Sequence, residues 1–255
     1  MHFNYSMKLD FDQPVQEHHF TLKCLPADSS RQQICGLRIA VDPQVRLWQG
    51  LDGFGNRKMM GYLKESHDHL QVDVLGSAWI RGEDDDLSDA LLMKYPTRLT
   101  QAGPAVREIC RAVLESGAGE DFPRRVMEEV YKRMTYIPGS TGIFTTAEEA
   151  AQAGSGVCQD YAHIMLAVLR LRSIPCRYVC GMLEGEGQSH AWVEALSGGR
   201  WAGYDPTNCV EAGQRHIVIS HGRDAGDCQI NQGIFYAAGG SPVRQQQQIH
   251  VLVEQ

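Results

Sequence analysis

The hydrophobic pattern of this chain changes period near residue 90, and that change limits the folds it can adopt. Before it, apolar and polar residues alternate in short runs separated by turn signals such as Asp42-Pro43 and Asp52-Gly53-Phe54-Gly55-Asn56. Alternation with a period of two predicts strands with one buried face. We therefore predict an all-β domain, a sandwich or small barrel, over residues 1–82. The charged run 82–86 begins a predicted linker over 83–95.

From residue 96 onward, the pattern is that of helices followed by strands. Apolar residues recur every three to four positions after Pro104, Phe122 and Cys158, and Thr146 with Glu149 forms a capping box for a short helix. Predicted strands follow at 176–183, 190–196, 200–205, 217–220 and 249–253, with the polar run 245–248 as a loop. Helices followed by strands predict an α+β domain with an antiparallel sheet over 96–255.

Composition excludes several classes of protein. Hydrophobic residues make up 43% of the 255 residues and charged ones 22%, which is ordinary for globular proteins. No apolar stretch reaches the roughly 18 residues of a membrane span. The net charge of −7 disfavours a nucleic acid partner. The first residues lack the basic start and apolar core of a secretory signal, so we expect a cytoplasmic protein that binds neither membrane nor nucleic acid.

Eight cysteines are too few for a disulfide scaffold, and we expect them to be thiols. Cys176 and Cys180 form the closest pair, but no second pair of Cys or His ligands accompanies them, so we expect no structural zinc site. The acidic run 83–86 lacks the alternating ligands and the glycine turn of a calcium loop. We therefore predict a protein that requires no metal and no cofactor.

One thiol has the surroundings of a nucleophile. Cys158 follows the flexible segment Gly154-Ser155-Gly156-Val157 and stands at the amino end of a predicted helix. The helix dipole and the free N–H groups there favour a thiolate. A nearby histidine would stabilise the thiolate and later protonate a leaving group. Taken alone, Cys158 has the alternative interpretation of a small hydrophobic residue at a helix start.

A predicted hairpin supplies a histidine together with a carboxylate. Glycines at 198–199 form its turn, which pairs Ser197 with Arg200. This register places Asp205 on the same face as His190 and diagonal to it, about 7 to 8 Å away at Cα. At that distance the carboxylate can orient the imidazole ring. The sequence therefore predicts a thiol triad of Cys158, His190 and Asp205, although a packed histidine and a turn-forming aspartate are the alternatives for each residue alone.

These residues lie within a longer pattern that resembles the transglutaminase-like superfamily, specifically its bacterial group of candidate cysteine proteases. The matching segments are 156–163 (GVCQDYAH), 169–170 (LR), 174–179 (IPCRYV), 190–194 (HAWVE) and 204–208 (YDPTN), with further likeness at 19–22, 52–56 and 221–224. The resemblance implies a papain-like α+β core, in which helices pack on an antiparallel sheet, preceded by an all-β sandwich-like domain.

The resemblance also implies roles for individual residues. It assigns Cys158 as the nucleophile, His190 as the general base and acid, and Asp205 as the orienting group. Gln152 is a candidate for the second oxyanion donor beside the backbone N–H of the cysteine, with a solvent-facing helix glutamine as the alternative. Asp160 and Trp192 are candidate residues of the cleft, where Trp192 would shelter the ion pair of Cys158 and His190 or serve only in packing.

The predicted reaction is acyl transfer through a thioester on Cys158, with the acyl group passing to water. The protein would then be a cysteine peptidase or amidase, with a peptide or protein amide as its substrate. Two alternatives stay open: a transglutaminase that uses an amine acceptor, and a catalytically silent binding module that keeps the fold. We also expect Cys158 to oxidise before the other seven thiols.

Overall fold

The structure contains more strand than helix. The computed structural model describes residues 1–82, 86–115, 117, 121–237 and 242–255. Its strands are β1 (His2–Leu22), β2 (Gln32–Asp42), β3 (Leu47–Leu51), β4 (Arg57–Leu63), β5 (His67–Ile80), β6 (Thr135–Tyr136), β7 (Ser155–Gly156), β8 (Cys176–Leu183), β9 (Gly185–Gly187), β10 (His190–Ser197), β11 (Arg200–Asp205), β12 (Val210–Ala212), β13 (His216–Gly222), β14 (Asn231–Tyr236) and β15 (Gln245–Glu254). Its helices are α1 (Pro104–Glu115), α2 (Phe122–Arg133), α3 (Ala147–Ala153) and α4 (Cys158–Leu171), with 3-10 turns at Leu92–Lys94 and Arg98–Thr100. None of the helices in the described part of the chain has the length and hydropathy of a membrane span.

The amino-terminal residues form a two-layered β structure that the long strand β1 holds together. The first half of β1 lies between β5 and β15, and its second half lies between β4 and β14. The strand changes partners across a register shift that contains Glu17, whose φ is +52°. Side chains of both layers, such as Tyr5 and Phe20, pack into one core. The predicted all-β, sandwich-like architecture of this region is confirmed.

The carboxyl-terminal strands also belong to this β structure, which corrects the prediction that they join the second sheet. β15 pairs with β1 from Glu254 opposite His2 to Gln245 opposite Phe11. The polar run 245–248 is therefore strand and not loop. The predicted core over 96–255 thus includes strands that pack with residues 1–82. Local periodicity does not encode this pairing, because it depends on which strand edge the rest of the fold leaves open.

The second sheet is antiparallel, with strand order β12-β11-β10-β8-β13. One of its faces packs against α4, through the β10 side chains of Ala191, Val193 and Ala195. Its other face meets the first β structure, since Met182 and Ile217 belong to the amino-terminal core. Both faces are therefore buried. The predicted arrangement of helices on an antiparallel sheet is confirmed.

The predicted linker, 83–95, is attached to the core where the structure describes it. Residues 83–85 lie outside the described residues. The carbonyl of Asp86 accepts a hydrogen bond of 2.7 Å from the indole N–H of Trp201. Met93 is fully buried, and its carbonyl accepts a hydrogen bond of 3.3 Å from Nε of Arg170. The described part of this segment thus packs on the core instead of crossing solvent.

A buried ion network lies on the face of β10 that meets the first β structure. Glu194 is 1% exposed and contacts the guanidinium groups of Arg31 and Arg177. Arg177 donates from Nε at 2.8 Å and from Nη2 at 2.7 Å. Its guanidinium also lies 4.4 Å from the ring centroid of Trp201. The network joins residues from both parts of the protein around the strand that begins with His190.

Glu194→Gln is expected to destabilise the protein by about 3 to 5 kcal/mol, because it removes a buried negative charge that contacts the guanidinium groups of Arg31 and Arg177. The measurement is the free energy of unfolding in urea. Glu211→Gln is the matched control, because Glu211 is 58% exposed in its ion pair with Arg124, and we expect a change below about 1 kcal/mol. Equal losses in the two variants would contradict the assignment of a structural role to the network.

Candidate active site

The segment before α4 determines where Cys158 stands. α3 begins with the predicted capping box and ends at Gly154, whose φ of +63° is a left-handed conformation that favours glycine. Residues Ser155–Gly156 then pair with Thr135–Tyr136 in a short parallel ladder. Cys158 follows as the first residue of α4 and is partly exposed. Its backbone N–H therefore belongs to the first turn of the helix, where N–H groups have no partner within the helix.

Asp160 holds this segment from inside the protein. The residue is fully buried, and its Oδ2 accepts hydrogen bonds from the Val157 N–H at 2.7 Å and from the Thr141 hydroxyl at 2.6 Å. A Cβ on Gly156 would lie 2.6 Å from that same oxygen, so the packing requires glycine. Burial raises the pKa of Asp160, and these hydrogen bonds oppose the rise. Asp160 was expected in the cleft; the structure places it behind the cleft wall, where it caps α4.

The β10–β11 hairpin has the predicted register. Ser197 pairs with Arg200, and the two turn glycines have φ of +59° and +82°, as a type I′ turn requires. Asp205 consequently lies on the face of His190. Nε2 of His190 is 2.7 Å from Oδ2 of Asp205.

Asp205 is fully buried and receives hydrogen bonds at both carboxylate oxygens. Oδ1 accepts from the backbone N–H groups of Thr207 at 3.0 Å and Asn208 at 3.2 Å. Oδ2 accepts from Nδ2 of Asn208 at 2.7 Å and from His190. Burial acts to raise the pKa of Asp205, but these donors together hold it well below its ordinary value. The carboxylate therefore stays ionised beside the imidazole.

His190 connects this carboxylate with the thiol. Because Nε2 contacts Asp205, Nδ1 is the ring nitrogen left for the thiol of Cys158, which lines the same cleft. Burial acts to lower the pKa of His190, but the hydrogen bond and the charge of Asp205, together with the neighbouring Cys158, raise it to about 10. At neutral pH the ring is therefore an imidazolium, the partner that stabilises a thiolate. The structure brings the three residues of the predicted triad together.

His216, which the sequence analysis did not single out, also contacts Asp205. It is 2% exposed, and its Nε2 lies 3.4 Å from Oδ2 of Asp205. Its Nδ1 accepts a hydrogen bond of 3.3 Å from the Gly213 N–H, so the ring proton is on Nε2 and points to the carboxylate. Burial lowers the pKa of His216 and keeps the ring neutral. The ligand atoms of His190, Asp205 and His216 lie within 4.8 Å of one another, a set of donors that zinc also accepts.

His216→Leu is expected to slow the alkylation of Cys158 about tenfold at pH 7, because Asp205 loses a donor and holds His190 less firmly. His216→Gln should restore most of the rate, since its amide N–H reaches the position of Nε2. The rate constant with iodoacetamide is the measurement, with circular dichroism to verify folding. Equal rates for the two folded variants would exclude a positioning role for His216.

Trp192 lies behind His190 and does not line the cleft, which corrects its predicted placement there. Its side chain is fully buried. The indole ring stacks on His190 with 6.2 Å between centroids and meets His216 edge-on at 5.0 Å. Trp192 thus excludes water from the inner side of the imidazolium.

Gln152 faces solvent on α3, which corrects its predicted role as an oxyanion donor. Its amide donates to Oε1 of Glu148 at 2.9 Å, and it is absent from the described cleft lining. Two other side chains, Tyr136 and Gln159, line the cleft with Cys158. Burial, together with the neighbouring Cys158, raises the pKa of Tyr136.

A cleft of about 860 Å³ leads to the thiol and the imidazole. One part of its lining comes from the segment 183–189, between β8 and β10, and another from residues 136–139. Cys158 and His190 both line it, so a substrate in the cleft can contact the thiol and the ring together.

Comparison with known proteins identifies the family. Residues 107–206 match the family model of the transglutaminase-like superfamily, and residues 1–78 match the bacterial transglutaminase-like N-terminal region. The chain belongs to the transglutaminase-like superfamily. An uncharacterized protein of Mycobacterium tuberculosis is 31% identical over an alignment 254 positions long, gaps included, which covers 83% of this chain and 79% of that protein. One of Mycobacterium leprae is 28% identical over 255 residues, with 91% of each chain covered.

A solved structure shares the fold of this transglutaminase-like protein. It is the crystal structure of a candidate cysteine protease from Cytophaga hutchinsonii, with a TM-score of 0.76 and 19% sequence identity. The match covers 98% of this chain and 90% of the other. The shared architecture therefore includes both the β structure and the transglutaminase-like core.

Proposed function

We propose that this transglutaminase-like protein hydrolyses a peptide or amide bond through a thioester on Cys158. The supporting observation is the hydrogen bond between His190 and Asp205, together with the open cleft that Cys158 and His190 both line. The name of the Cytophaga hutchinsonii protein, a candidate cysteine protease, agrees with this proposal.

Acylation begins from the ion pair of the Cys158 thiolate and the His190 imidazolium. The sulfur of Cys158 attacks the acyl carbon, and the negative charge moves to the carbonyl oxygen. The backbone N–H of Cys158 and the hydroxyl of Tyr136 are the donors that we assign to that oxygen. The C–N bond then breaks, and Nδ1 of His190 gives its proton to the leaving amine. Asp205 keeps the ring oriented through Nε2.

Deacylation reverses these proton movements. Neutral His190 accepts a proton from water at Nδ1, and the resulting hydroxide attacks the thioester carbon. The C–S bond breaks, the acid product leaves, and the thiolate and the imidazolium are restored. Trp192 and the buried carboxylate of Asp205 stay in place throughout, because neither gains nor loses a proton.

An assay with dimethylcasein as the acyl donor and dansylcadaverine as the amine acceptor tests the proposal. Peptide hydrolysis, amide hydrolysis and transamidation each give a different product in it. New amino termini indicate peptide hydrolysis, released ammonia without dansyl incorporation indicates amide hydrolysis, and dansyl incorporation indicates a transglutaminase. We expect hydrolysis that Cys158→Ala abolishes. Dansyl incorporation faster than hydrolysis would overturn the proposal in favour of transamidation. If iodoacetamide labels Cys158 but the protein forms none of these products, the result would favour a binding module.

A further inference from the structure

β9 presents an uncovered edge of main chain beside the cleft. Gly185–Gly187 pairs with β15 on one side, and among the described residues it is the last strand in the order β2-β5-β1-β15-β9. All three residues are exposed. A Cβ on either glycine would meet no atom within 4 Å. The second edge of this strand is therefore open to another chain.

The same segment forms part of the cleft wall. Glu186, Gly187, Gln188 and Ser189 line the cleft together with the thiol and the imidazole. His190 follows Gly187 by three residues, which span about 10 Å in extended form. A polypeptide that lies along β9 can therefore reach Cys158 within a few residues.

The charged side chains of this segment are held by other partners. Glu186 contacts Nε2 of His250, on β15, at 2.9 Å. Because β15 is the strand on the paired side of β9, this contact draws the carboxylate away from the open edge. Glu184 accepts a hydrogen bond of 2.7 Å from Arg215. The carboxylates of Glu184 and Glu186 therefore do not block the open edge of β9.

We propose that β9 binds the acyl donor as an added strand, so the substrate is an extended segment of polypeptide. This inference rests on the proposed function and names its substrate class. Alternate N–H and C=O groups of the substrate bond to the free edge of β9, and its main chain supplies most of the affinity. A small amide lacks this interaction, and a folded surface loop cannot extend along the strand.

Amide hydrogen exchange, measured on two covalent adducts of Cys158, tests whether the substrate main chain lies along β9. One adduct comes from a tetraalanine vinyl sulfone, whose main chain can extend along β9, and the matched control is the carbamidomethyl adduct from iodoacetamide. We expect amide exchange within 185–187 to slow about tenfold or more in the peptidyl adduct alone. Equal exchange in both adducts, or protection confined to Thr135–Tyr136, would overturn the proposal.

Methylating the backbone nitrogens of the peptidyl probe one at a time tests whether the bound probe is a β-strand. Successive N–H groups of a strand point to opposite sides, so methylation should slow labelling about tenfold at alternate positions and little at the others. A uniform effect along the probe would contradict an added strand while leaving the proposed hydrolysis intact. If iodoacetamide labels Cys158 rapidly and no peptidyl probe does, the extended polypeptide is excluded as the substrate. If neither reagent labels Cys158 faster than an ordinary thiol, the proposed function itself fails.

Discussion

His190→Ala is expected to slow the alkylation of Cys158 by iodoacetamide about 30-fold or more at pH 6. In the wild type, the pKa of His190 is about 10, so the ring is an imidazolium at this pH, and we expect it to favour the reactive thiolate form of Cys158. An ordinary thiol is about 0.3% thiolate at pH 6. The lower nucleophilicity of a stabilised thiolate offsets part of that difference. Intact mass spectrometry with limiting reagent between pH 5 and 9 measures the rate and the number of labels.

His69→Ala is the matched control for that experiment. His69 lies on β5 in the first β structure and contacts the carboxylates of Asp42 and Asp68, so its removal should leave the rate unchanged. Peptide mapping identifies which thiol carries the label. The alkylation rate of the wild type could instead follow the titration of an ordinary thiol near pH 8.5, with no effect of His190→Ala. That result would mean that Cys158 and His190 do not form an ion pair.

Asp205→Asn is expected to lower the pKa of His190 from about 10 toward its ordinary value of about 6.5. The amide removes the negative charge beside Nε2, and burial then acts against the charged ring. NMR titration of the imidazole nitrogens measures the change. An unchanged pKa in the folded variant would show that Asp205 does not hold the ring in its charged form.

The same substitution should change how stability depends on pH. The raised pKa of His190 stabilises the wild type in full below about pH 6.5, and this contribution is lost as the pH rises toward 10. The lowered pKa of Asp205 stabilises it above about pH 3.9 and loses its effect as the pH falls further. Each contribution is of the order of a few kcal/mol. Urea unfolding from pH 3 to 10 should therefore give a flatter profile for Asp205→Asn; matching slopes would contradict the coupling.

Elements whose cause is local could be predicted from the sequence. The capping box at Thr146 begins α3, and Pro104 begins α1. The glycine pair at 198–199 fixes the hairpin register, because both residues must adopt positive φ. That register alone places Asp205 on the face of His190. Gly154 ends α3 through its positive φ in the same way, four residues before Cys158.

The partners of these residues could not be predicted in the same way. His216 reaches Asp205 from β13, which joins the sheet through β8, so its place depends on a pairing between distant segments. Gln152 carries the residue type of an oxyanion donor, but its position on α3 turns it toward Glu148. Asp160 looks like a polar residue of an exposed first turn, and its burial depends on the loop that brings Thr141 to it.

The sequence by itself predicted the helices α1 to α4, the strands β8, β10, β11 and β13, the hairpin register, and the thiol, imidazole and carboxylate that the structure brings together. Each depends on periodicity, turn chemistry or capping among near neighbours in the chain. Only the tertiary structure decided that β15 closes onto β1, that His216 joins Asp205, and that β9 lies open beside the cleft. These features arise from contacts between segments far apart in the chain, whose formation depends on the whole fold and on no local pattern.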